Sequence, residues 1–414
     1  MEAFIKKTAL DPWDLFANIF GRDYVFAKEF FMNKNQKGVL ILTPFFSPNI
    51  GGVETHLDNL VSNLDEKGYR IFVQTYSPLT TENTSWKKNE LLGNNIQINR
   101  YRWFGKNLFH TLESYPILDF LYLSPYLFIR SLLFMITNSK KIDVIHAQGL
   151  NAGAIGVILK AIFKKRLIIS LHAIYTNIDN HGLIAFLIQM ILNSAHVTLG
   201  MSKAVNGQFN QTGIKGSNLI KYTYWVDLNR FKPMNLKESR KKIGVDDRFT
   251  VLFVGRLNPI KGIKLLVEIA QELDRIQFLF IGTGPLESFL KITSEQNPNI
   301  QFLGQINNND LPTYYNSADI FCIPSQYEEG LGRVVMESVA CGVPVVGSNR
   351  GGIPEALNET VSILLDPTHD NLKNAIQMLH MDNQHLKALK KDCRNYATMN
   401  YSKQNLDLIT RHYV

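Results

Sequence analysis

The fold is decided by the stretch Val251-Leu-Phe-Val-Gly255-Arg256-Leu-Asn-Pro-Ile-Lys261-Gly262. Its first four residues are apolar and partly β-branched, which predicts a short buried strand, and Gly255 predicts a turn where that strand ends. The next segment, Ile263–Leu273, carries apolar residues at the spacing of an amphipathic helix. A strand, a glycine turn and a helix in this order predict a βαβ unit, and therefore a parallel sheet.

The same alternation of short apolar runs and longer helical segments extends through most of the chain. The predicted strands are Val39–Leu42, Ile71–Thr75, Ile96–Tyr101, Val144–Ala147, Leu167–Leu171, Val197–Met201, Leu219–Tyr224, Val251–Val254, Phe278–Ile281, Ile300–Leu303, Ile320–Ile323, Val343–Val346 and Ile363–Leu365. The predicted helices include Glu54–Lys67, Ile263–Leu273 and Leu311–Ser317.

These strands are too many for one sheet, and the chain between residues 225 and 248 is polar and contains Pro233. We therefore predict the α/β class, with two doubly wound domains that face each other. An eight-stranded barrel is the alternative, although barrels seldom contain such a break.

The composition is that of a globular protein, with 45% hydrophobic and 19% charged residues. Three cysteines, Cys322, Cys341 and Cys393, are odd in number and lack the close spacing of a metal site. They favour a reducing compartment over a disulfide framework. The sequence starts with charged residues and a proline where a signal peptide has an apolar core, so we expect a cytoplasmic protein.

The excess positive charge lies entirely in the first half of the chain. Residues 1–225 contain 23 Lys and Arg against 15 Asp and Glu, whereas residues 226–414 contain 21 of each kind. This asymmetry predicts an anionic partner for the first half, either lipid or nucleic acid. The basic residues are scattered and no known nucleic-acid-binding motif is present, so we predict no nucleic acid and an anionic membrane surface instead.

Two segments are unusually aromatic, and the sequence assigns no role to the first of them, residues 1–36. The second, residues 101–136, is not predicted to span a membrane, because Asp119, Pro125 and Arg130 interrupt its apolar run. Two interpretations stay open for it. Its aromatic side chains lie at the headgroup level of a bilayer, or it forms a buried connecting helix on the first sheet.

Two cations, Arg256 and Lys261, lie five residues apart in the loop after the strand at Val251. In open α/β sheets ligands bind at the carboxyl ends of the strands. An arginine fork and a lysine point charge together suit a diphosphate, whereas either residue alone is more often a solvated surface cation. A second glycine turn, Gly282-Thr-Gly284-Pro285, follows another predicted strand. We expect it to form the bottom of the same ligand-binding crevice at the carboxyl ends of the strands.

Glu329 and Glu337 lie eight residues apart, a spacing that is uninformative because other glutamate pairs in the chain share it. The context of Glu329 is informative, since the loop Glu329-Gly330-Leu331-Gly332 follows a predicted strand and its backbone N–H groups can bind a sugar or phosphate. Glu337 lies about two turns into the next helix, and a carboxylate there can accept hydrogen bonds from both ribose hydroxyls. The simpler alternatives are a helix-surface residue for Glu337 and a charge at a helix N-terminus for Glu329.

The first glycine loop lies near the start of the chain and reads Pro44-Phe-Phe-Ser-Pro-Asn-Ile-Gly51-Gly52-Val53-Glu54. It follows a predicted strand and opens a predicted helix. Glycines allow close approach of a ligand to the backbone, and a helix N-terminus favours an anion such as phosphate. Two glycines before a helix are weak evidence alone, because turns use them often.

Taken together, these motifs resemble glycosyltransferase family 4, whose members are retaining enzymes of the GT-B fold. The resemblance is carried by Gly51-Gly52-Val53-Glu54, Gly255-Arg256-Leu257 with Lys261-Gly262, Gly282-Thr-Gly284-Pro285, Glu329-Gly330-Leu331-Gly332 through Glu337, and Gly351-Gly352-Ile-Pro354-Glu355. It extends from about residue 38 to the C-terminus and is denser in the second half.

The resemblance implies two Rossmann-like domains that face a central cleft. An N-terminal extension over residues 1–36 precedes an acceptor-binding domain over residues 37–225. A donor-binding domain follows over residues 226–395, and a closing helix over residues 396–414 crosses back to the first domain.

The resemblance also assigns roles to single residues. The donor-binding residues it implies are Gly51, Gly52, Arg256, Lys261, Gly284, Glu329, Gly330, Leu331, Gly332 and Glu337, and the catalytic residues are His172, Glu329, Arg256 and Lys261. Arg256 and Lys261 would neutralise the diphosphate, Glu337 would bind the ribose, and Glu329 would lie against the donor sugar. Amides of the glycine loop after Glu329 would line the pocket, and the first glycine loop would close on the phosphate from across the cleft.

His172 matches a histidine that the family often places near the transferred sugar, although a structural histidine at a strand's end is an equal alternative. The sequence departs from the family at Gln148, where a second histidine often lies, and at Tyr224-Trp225, where an Asn-Gly pair is common. Val361-Ser362 stand in place of a usual glycine. The first two departures lie near the acceptor side and bear on acceptor identity.

Retention of the anomeric configuration of the sugar arises in one of two ways: through a covalent carboxylate intermediate, or through same-face attack with the leaving phosphate as base. The family's behaviour favours the second route. The chain contains no Asp-x-Asp triplet, so we predict no essential metal and no cofactor beyond the nucleotide sugar as co-substrate.

The predicted function is therefore a retaining, metal-independent glycosyltransferase of the hexosyltransferase type. It transfers a sugar from a nucleotide sugar to a lipid-linked or glycan acceptor, in the cytoplasm and peripherally on the inner face of a membrane. The alternatives are the same chemistry on a soluble acceptor such as a sugar phosphate, or a non-catalytic sugar-nucleotide-binding protein.

Overall fold

The computed structural model describes residues 36–81, 84–105, 108–112, 115–173, 182–211 and 218–414. The extension predicted over residues 1–36 lies outside this part of the chain, except for its last residue. The strands in the described part are β1 Gly38–Leu42, β2 Arg70–Tyr76, β3 Asn89–Leu92, β4 Ile96–Tyr101, β5 Val144–Gln148, β6 Arg166–Leu171, β7 Val197–Gly200, β8 Leu219–Lys221, β9 Thr250–Val254, β10 Gln277–Ile281, β11 Ile300–Phe302, β12 Ile320–Ile323, β13 Val345–Ser348 and β14 Ser362–Leu365.

Helices alternate with these strands along the described residues. They are α1 Gly52–Glu66, α2 Leu108–Leu112, α3 Pro116–Asn138, α4 Gly149–Phe163, α5 Leu183–Ser194, α6 Lys203–Gln211, α7 Leu236–Ile243, α8 Ile263–Glu272, α9 Glu287–Gln296, α10 Leu311–Tyr315, α11 Arg333–Ala340, α12 Ile353–Ala356, α13 His369–Met381, α14 Asn383–Asn400 and α15 Asp407–Thr410. Short 3-10 turns add Ser139–Lys141, Pro259–Lys261 and Lys403–Leu406.

The strands form two open sheets. The order in the first is β3-β4-β2-β1-β5-β6-β7-β8, and in the second β11-β10-β9-β12-β13-β14. All neighbouring strands are parallel except β3 and β4. The predicted pair of doubly wound α/β units is confirmed. The barrel alternative is wrong, because both sheets end in open edges.

The topology determines where a ligand can bind. The strand order reverses at β1, which lies between β2 and β5, and at β9, which lies between β10 and β12. In doubly wound sheets the crevice outside the carboxyl ends of the strands at such a reversal is the usual ligand site. The loops after β1 and β9 are the two glycine loops that the sequence singles out.

Some predicted elements differ from the observed ones. Strand β3 was not predicted, because its residues are mostly exposed and pair only with β4 at the sheet edge. The strand predicted over Leu219–Tyr224 ends at Lys221. Tyr224 and Trp225 are buried in the connection between the two sheets, so their apolar character reflects burial in that connection rather than strand pairing.

The prediction of one closing helix over residues 396–414 is corrected by the structure. Helix α14 ends at Asn400, and a 3-10 turn and the one-turn helix α15 follow. The side chain of Asn405 donates to the carbonyl oxygens of Asn400 (2.7 Å) and Tyr224 (3.0 Å), which holds the chain in the bend. Beyond it, the chain packs on the first sheet, where the Tyr413 hydroxyl lies 2.7 Å from His146 Nδ1.

Helix α3 (Pro116–Asn138), which contains most of the aromatic segment, has one buried face and one exposed face. One face is buried against the first sheet, where the Tyr76 hydroxyl donates to Leu123 O (2.8 Å) and accepts from Leu127 N (2.9 Å). The opposite face is exposed and apolar, with Ile117 59% and Leu133 53% accessible. The helix is therefore a connecting helix with one uncovered side in the described structure.

Candidate active site

A cleft of about 1660 Å³ lies between the carboxyl ends of the two sheets. The structure places nearly all the predicted site residues in its lining: Gly51, Gly52, His172, Arg256, Lys261, Glu329, Gly330, Leu331, Gly332 and Glu337. Gly284 does not line it. A Cβ on Gly284 would lie 2.9 Å from the backbone of Leu257, so this glycine allows two loops to pack behind the cleft, and its neighbours Gly282 and Thr283 face the ligand space.

Lys261 and Glu329 form a buried ion pair in the cleft. The Lys261 Nζ to Glu329 Oε1 distance is 2.6 Å, and the side chains are 19% and 7% exposed. Ser325 donates to the same carboxylate oxygen at 2.5 Å, and the Tyr327 hydroxyl donates to Oε2 at 2.8 Å. Burial opposes the charge on Lys261, but Glu329 and Tyr327 outweigh this effect and raise the pKa of the lysine. Lys261 is therefore charged and held in place by its partners.

The position of Lys261 depends on the glycine that follows it. Gly262 adopts φ +72°, and a Cβ there would lie 2.0 Å from the carbonyl oxygen of Pro324. Only glycine fits this approach. The loop after β9 thus packs directly on the loop after β12, and this packing brings Lys261 to Glu329.

Arg256 is the cation that is not held by the protein. Its side chain is exposed in the cleft, and in the described part of the chain it forms no hydrogen bond or ion pair. Arg256 and Lys261 lie on the loop after β9, and Glu329 reaches Lys261 from the loop after β12. The site therefore offers an exposed guanidinium and a buried, ion-paired ammonium to an anionic ligand.

Glu337 is buried and paired with Arg333, a residue that the sequence prediction missed. Arg333 Nε donates to Glu337 Oε1 at 2.9 Å, and both side chains are 5% exposed. The Tyr315 hydroxyl donates to Oε2 at 3.1 Å. Burial raises the pKa of Glu337, and Arg333 opposes that shift. Arg333 lies four residues before Glu337 on helix α11 (Arg333–Ala340). Residues at this i,i+4 spacing lie on the same face of a helix, so the sequence could have indicated the pair.

The glycine loop after Glu329 is supported from behind by a second glycine pair. Gly352 N donates to Glu329 O at 2.7 Å, and a Cβ on Gly351 would lie 2.3 Å from that same oxygen. Gly330 itself packs against the first domain, since a Cβ there would lie 3.1 Å from His172 O. The loop is therefore held between the two domains.

The first glycine loop faces the second domain across the cleft. Helix α1 (Gly52–Glu66) begins there, and a Cβ on Gly52 would lie 4.0 Å from Arg333 Cβ. The carboxylate of Glu54 folds back over Gly51, because a Cβ on Gly51 would lie 2.3 Å from Glu54 Oε2. An anionic group thus lies at this helix N-terminus, where the helix dipole favours negative charge.

Both ring nitrogens of His172 are engaged within the protein. Nε2 lies 2.8 Å from Gln148 Oε1, and Nδ1 is bonded to the Tyr224 hydroxyl. An amide oxygen can only accept, so Nε2 carries the proton and Nδ1 accepts from Tyr224. Burial lowers the pKa of His172 to about 3. Two of the family departures, Gln148 and Tyr224, are therefore the residues that fix the tautomer of His172.

We expect His172 to stay neutral between pH 5 and 8. Its lowered pKa lies below this window, so its ring nitrogens should show no titration in long-range ¹H–¹⁵N spectra, with assignment by His172→Asn. His369 provides an internal control, because hydrogen bonds with Asp370 and Glu272 raise its pKa. A His172 midpoint near 6.5 would contradict the hydrogen-bond assignment.

Glu355 connects the second domain to the first. Its carboxylate accepts from the backbone N–H groups of Lys203 and Ala204, both at 2.7 Å, and from Lys221 Nζ at 2.9 Å. Burial opposes its ionisation, but these donors outweigh burial and lower the pKa of Glu355. The glutamate of the Gly-Gly-Ile-Pro-Glu motif thus caps helix α6 (Lys203–Gln211) across the domain boundary.

Replacing Glu355 by alanine should loosen this contact. Charge-assisted hydrogen bonds contribute about 1.5–3 kcal/mol each, and 1.4 kcal/mol corresponds to about tenfold in an equilibrium. We expect the Lys203 and Ala204 amides to exchange with deuterium at least about tenfold faster, as measured by mass spectrometry. Glu359→Ala, at an exposed position four residues later, is the matched control. Unchanged exchange in Glu355→Ala would show that the contact does not hold the domains.

Comparison with solved structures defines the class of protein. Sucrose-phosphate synthase from Thermosynechococcus elongatus matches with a TM-score of 0.74 at 20% identity, covering 91% of this chain and 98% of that one. HepE from Anabaena in complex with UDP matches with a TM-score of 0.71, at the same identity and coverage. The two facing sheets and the cleft between them are the GT-B fold of glycosyltransferases.

Comparison with sequence families gives the particular family. The family described as Glycosyltransferase Family 4 matches residues 50–221, and the one described as Glycosyl transferases group 1 matches residues 235–398. The chain belongs to glycosyltransferase family 4. The resemblance seen in the motifs is confirmed.

Curated relatives are similar over a limited stretch. Spore coat protein SA of Bacillus subtilis is 33% identical over 136 residues, which are 30% of this chain and 36% of that protein. A GDP-mannose-dependent monoacylated alpha-(1-6)-phosphatidylinositol monomannoside mannosyltransferase of Corynebacterium glutamicum is 33% identical over 34% of this chain and 41% of its own length. A D-inositol 3-phosphate glycosyltransferase of Mycobacteroides abscessus is 37% identical over 35% of this chain and 34% of its own length. The chain thus aligns with about a third to two fifths of these relatives.

Proposed function

We propose that the protein is a retaining glycosyltransferase of the hexosyltransferase type. It moves a sugar from a nucleotide sugar to a lipid-linked or glycan acceptor, at the cytoplasmic face of a membrane and without an essential metal ion. The observation that carries the proposal is the charge arrangement at the end of β9. There the exposed Arg256 lies on the same loop as Lys261, which is paired with the buried Glu329 of the loop after β12, in a cleft that is also lined by two helix N-termini.

This arrangement suits a sugar diphosphate. Arg256 and Lys261 neutralise the diphosphate, while the N-terminus of α11 (Arg333–Ala340), which has no acidic residue in its first turn, adds positive partial charge. Charge that develops on the leaving diphosphate is stabilised by groups that are already in place. The ribose lies against Glu337, whose carboxylate is oriented by Arg333 and Tyr315.

The hydrogen bonds of Glu329 favour same-face attack over a covalent intermediate. Both of its carboxylate oxygens are already engaged, by Lys261 and Ser325 on one side and Tyr327 on the other. Glu329 therefore positions Lys261 and the sugar rather than acting as the nucleophile. In the proposed step the acceptor oxygen bonds to the anomeric carbon on the face that the diphosphate leaves, and the acceptor proton passes to a phosphate oxygen.

Cations of the chain take the role that a divalent metal has in other sugar-nucleotide sites. In the described ranges no group of three or more His, Cys, Asp or Glu side chains could hold a metal ion. Metal independence stays a prediction, and activity after treatment with a chelator tests it. Retention is tested separately by the anomeric configuration of the first product formed, read by NMR.

The relatives support two kinds of acceptor. The C. glutamicum relative is named for a phosphatidylinositol monomannoside, and D-inositol 3-phosphate glycosyltransferases are named for a soluble phosphate. We favour the lipid-linked or glycan acceptor because the first half carries the excess positive charge and an exposed apolar helix face. A soluble sugar phosphate is the second candidate.

Binding of nucleotide sugars tests the proposal. A ligand that binds only the folded state at 100 times its Kd stabilises it by about 2.7 kcal/mol, so the cognate donor should raise the melting temperature of the wild type in a panel of nucleotide sugars. Arg256→Ala should abolish the shift, whereas Arg275→Ala, which removes an exposed arginine outside the cleft, should keep it. Failure of every nucleotide sugar to stabilise the wild type would refute the proposal, and binding without turnover would support a non-catalytic protein.

A further inference from the structure

Three neighbouring helices form a broad apolar surface on one side of the first sheet. Helices α3 (Pro116–Asn138), α4 (Gly149–Phe163) and α5 (Leu183–Ser194) each connect parallel strands of this sheet, and hydrogen bonds join them pairwise. Asn151 donates to Asp119 (2.7 Å) between α3 and α4, and Lys160 Nζ donates to Ser194 O (2.6 Å) between α4 and α5. We call this surface the three-helix face.

The three-helix face is far more apolar than a solvated surface. Half of the large apolar side chains that are exposed in the described ranges belong to these three helices, including Ile117, Ile162, Leu183 and Phe186. Leu183 is 72% exposed and Phe186 is 61% exposed. Across the three helices the only charged residues are Asp119, Arg130 and Lys160. Contiguous exposed apolar surface of this kind marks an interaction site.

The geometry favours a helix face that lies along a membrane over a helix that crosses it. Helix α3 is long and apolar enough for a span by length and composition. One side of it, however, is packed on β2 through the Tyr76 hydrogen bonds and the Phe72–Phe134 ring contact at 5.6 Å. A helix that is fixed to a sheet on one side can present only its other side to lipid.

Charge at one end of the three-helix face indicates which lipid it fits. Because the three helices run the same way, their C-terminal ends lie at one edge of the sheet. Lys140 and Lys141 follow α3, and Lys164 and Lys165 follow α4. Basic residues that border an apolar helix face are the signature of an anionic membrane surface.

The opposite end of the three-helix face opens into the cleft. Pro116, Leu150 and Ile184, from the first turns of the three helices, all line it. An acceptor anchored in the lipid would therefore meet the active site at the edge of the same surface. We infer that the three-helix face docks on the leaflet of a bilayer that contains anionic phospholipid and delivers a lipid-anchored acceptor to the cleft, an inference that rests on the proposed function for its acceptor.

A fluorescent label can test this docking directly. The native cysteines Cys322, Cys341 and Cys393 are all buried, so an exposed cysteine that is introduced can be labelled selectively. We propose Met190→Cys on the three-helix face and Met381→Cys on the second domain as a matched pair, both exposed methionines. An environment-sensitive label at residue 190 should shift to shorter wavelength with phosphatidylglycerol–phosphatidylcholine vesicles, whereas the label at residue 381 should not.

Charge insertion tests the same surface without a label. Leu183→Glu with Phe186→Glu should lower vesicle partitioning by at least about tenfold, because two exposed apolar side chains that would be buried in lipid are replaced by charged ones. Met381→Glu should leave the partitioning unchanged. The melting shift produced by the nucleotide sugar should be the same in all three proteins. This readout separates failure of docking from failure of the proposed function.

Three results would overturn the inference. The first is a label at residue 190 that does not respond to vesicles. The second is a label already shifted without lipid in a protein that sediments as a dimer, which would assign the face to a second copy. The third is a label shifted without lipid in a monomer, which would assign the face to another segment of the same chain.

Discussion

Lys261→Ala is expected to lower kcat/KM for the nucleotide sugar by about 10²–10³, the usual effect of removing one preorganised group that stabilises developing charge. The substitution removes the fixed cation of the cleft and leaves the Glu329 carboxylate with only Ser325 and Tyr327 as partners. The diphosphate then meets an uncompensated negative charge instead of a neutral pair. Initial rates with the cognate donor measure the effect.

A matched control tests whether the effect of Lys261→Ala comes from the position of the lost charge or only from the loss of one positive charge. Lys264 lies three residues later, is exposed, and points over the Phe289 ring at 5.9 Å instead of into the cleft. Lys264→Ala removes the same formal charge and should change kcat/KM by less than about twofold, since exposed charges contribute little. Equal losses in the two variants would show that the overall field of the domain matters rather than the site.

A double variant distinguishes the two roles that Lys261 can have. If the lysine served only as a counter-ion for Glu329, then Lys261→Ala with Glu329→Gln would restore donor binding, because no buried charge would remain unpaired. If the lysine contacts the diphosphate, the double variant should stay as impaired as Lys261→Ala. The proposed function requires the second outcome, and the melting shift with donor reports it.

Much of this site could be predicted because its sequence signals are local. The glycine loops at Gly255 and Gly330 each follow a buried strand, and the carboxyl ends of strands in one sheet lie at one edge. The loops that carry Arg256, Lys261 and Glu329 therefore had to meet. The direct pairing of Lys261 with Glu329 depends on the packing of Gly262 against Pro324, a close approach that no periodicity encodes.

Other features could not be predicted because their partners are distant in sequence. Glu355 caps a helix about 150 residues away, and His172 receives its tautomer from Gln148 and Tyr224. The aromatic segment 101–136 was open to two interpretations for a related reason. A single helix gives no sign of which neighbours it has, and the exposed apolar surface arises only when α3, α4 and α5 lie side by side.

The pair Arg333–Glu337 gives the largest expected effect on stability. Breaking a buried ion pair by removing one partner costs about 3–5 kcal/mol, so Arg333→Ala should lower the free energy of unfolding by that amount in urea or thermal melts. Glu337, which is 5% exposed in the wild type, would keep only the Tyr315 hydroxyl as a side-chain donor. An exposed pair provides the control. Arg350→Ala, which breaks the Arg350–Asp366 contact at 2.8 Å, should cost at most about 1 kcal/mol.

The pH dependence of the stability loss in Arg333→Ala tests whether the unpaired Glu337 causes that loss. Burial raises the pKa of Glu337 even in the wild type, and loss of Arg333 removes the charge that opposes this shift. A carboxyl whose pKa is higher in the folded state than in the unfolded state binds more protons when folded. The free energy of unfolding therefore falls as the pH rises from the unfolded-state pKa through the folded-state pKa of that carboxyl. The deficit of Arg333→Ala should therefore be larger at pH 8 than at pH 5. Arg333→Ala with Glu337→Gln should recover most of the loss and remove its pH dependence, and a deficit that is equal at both pH values would instead assign the loss to packing of the arginine stem.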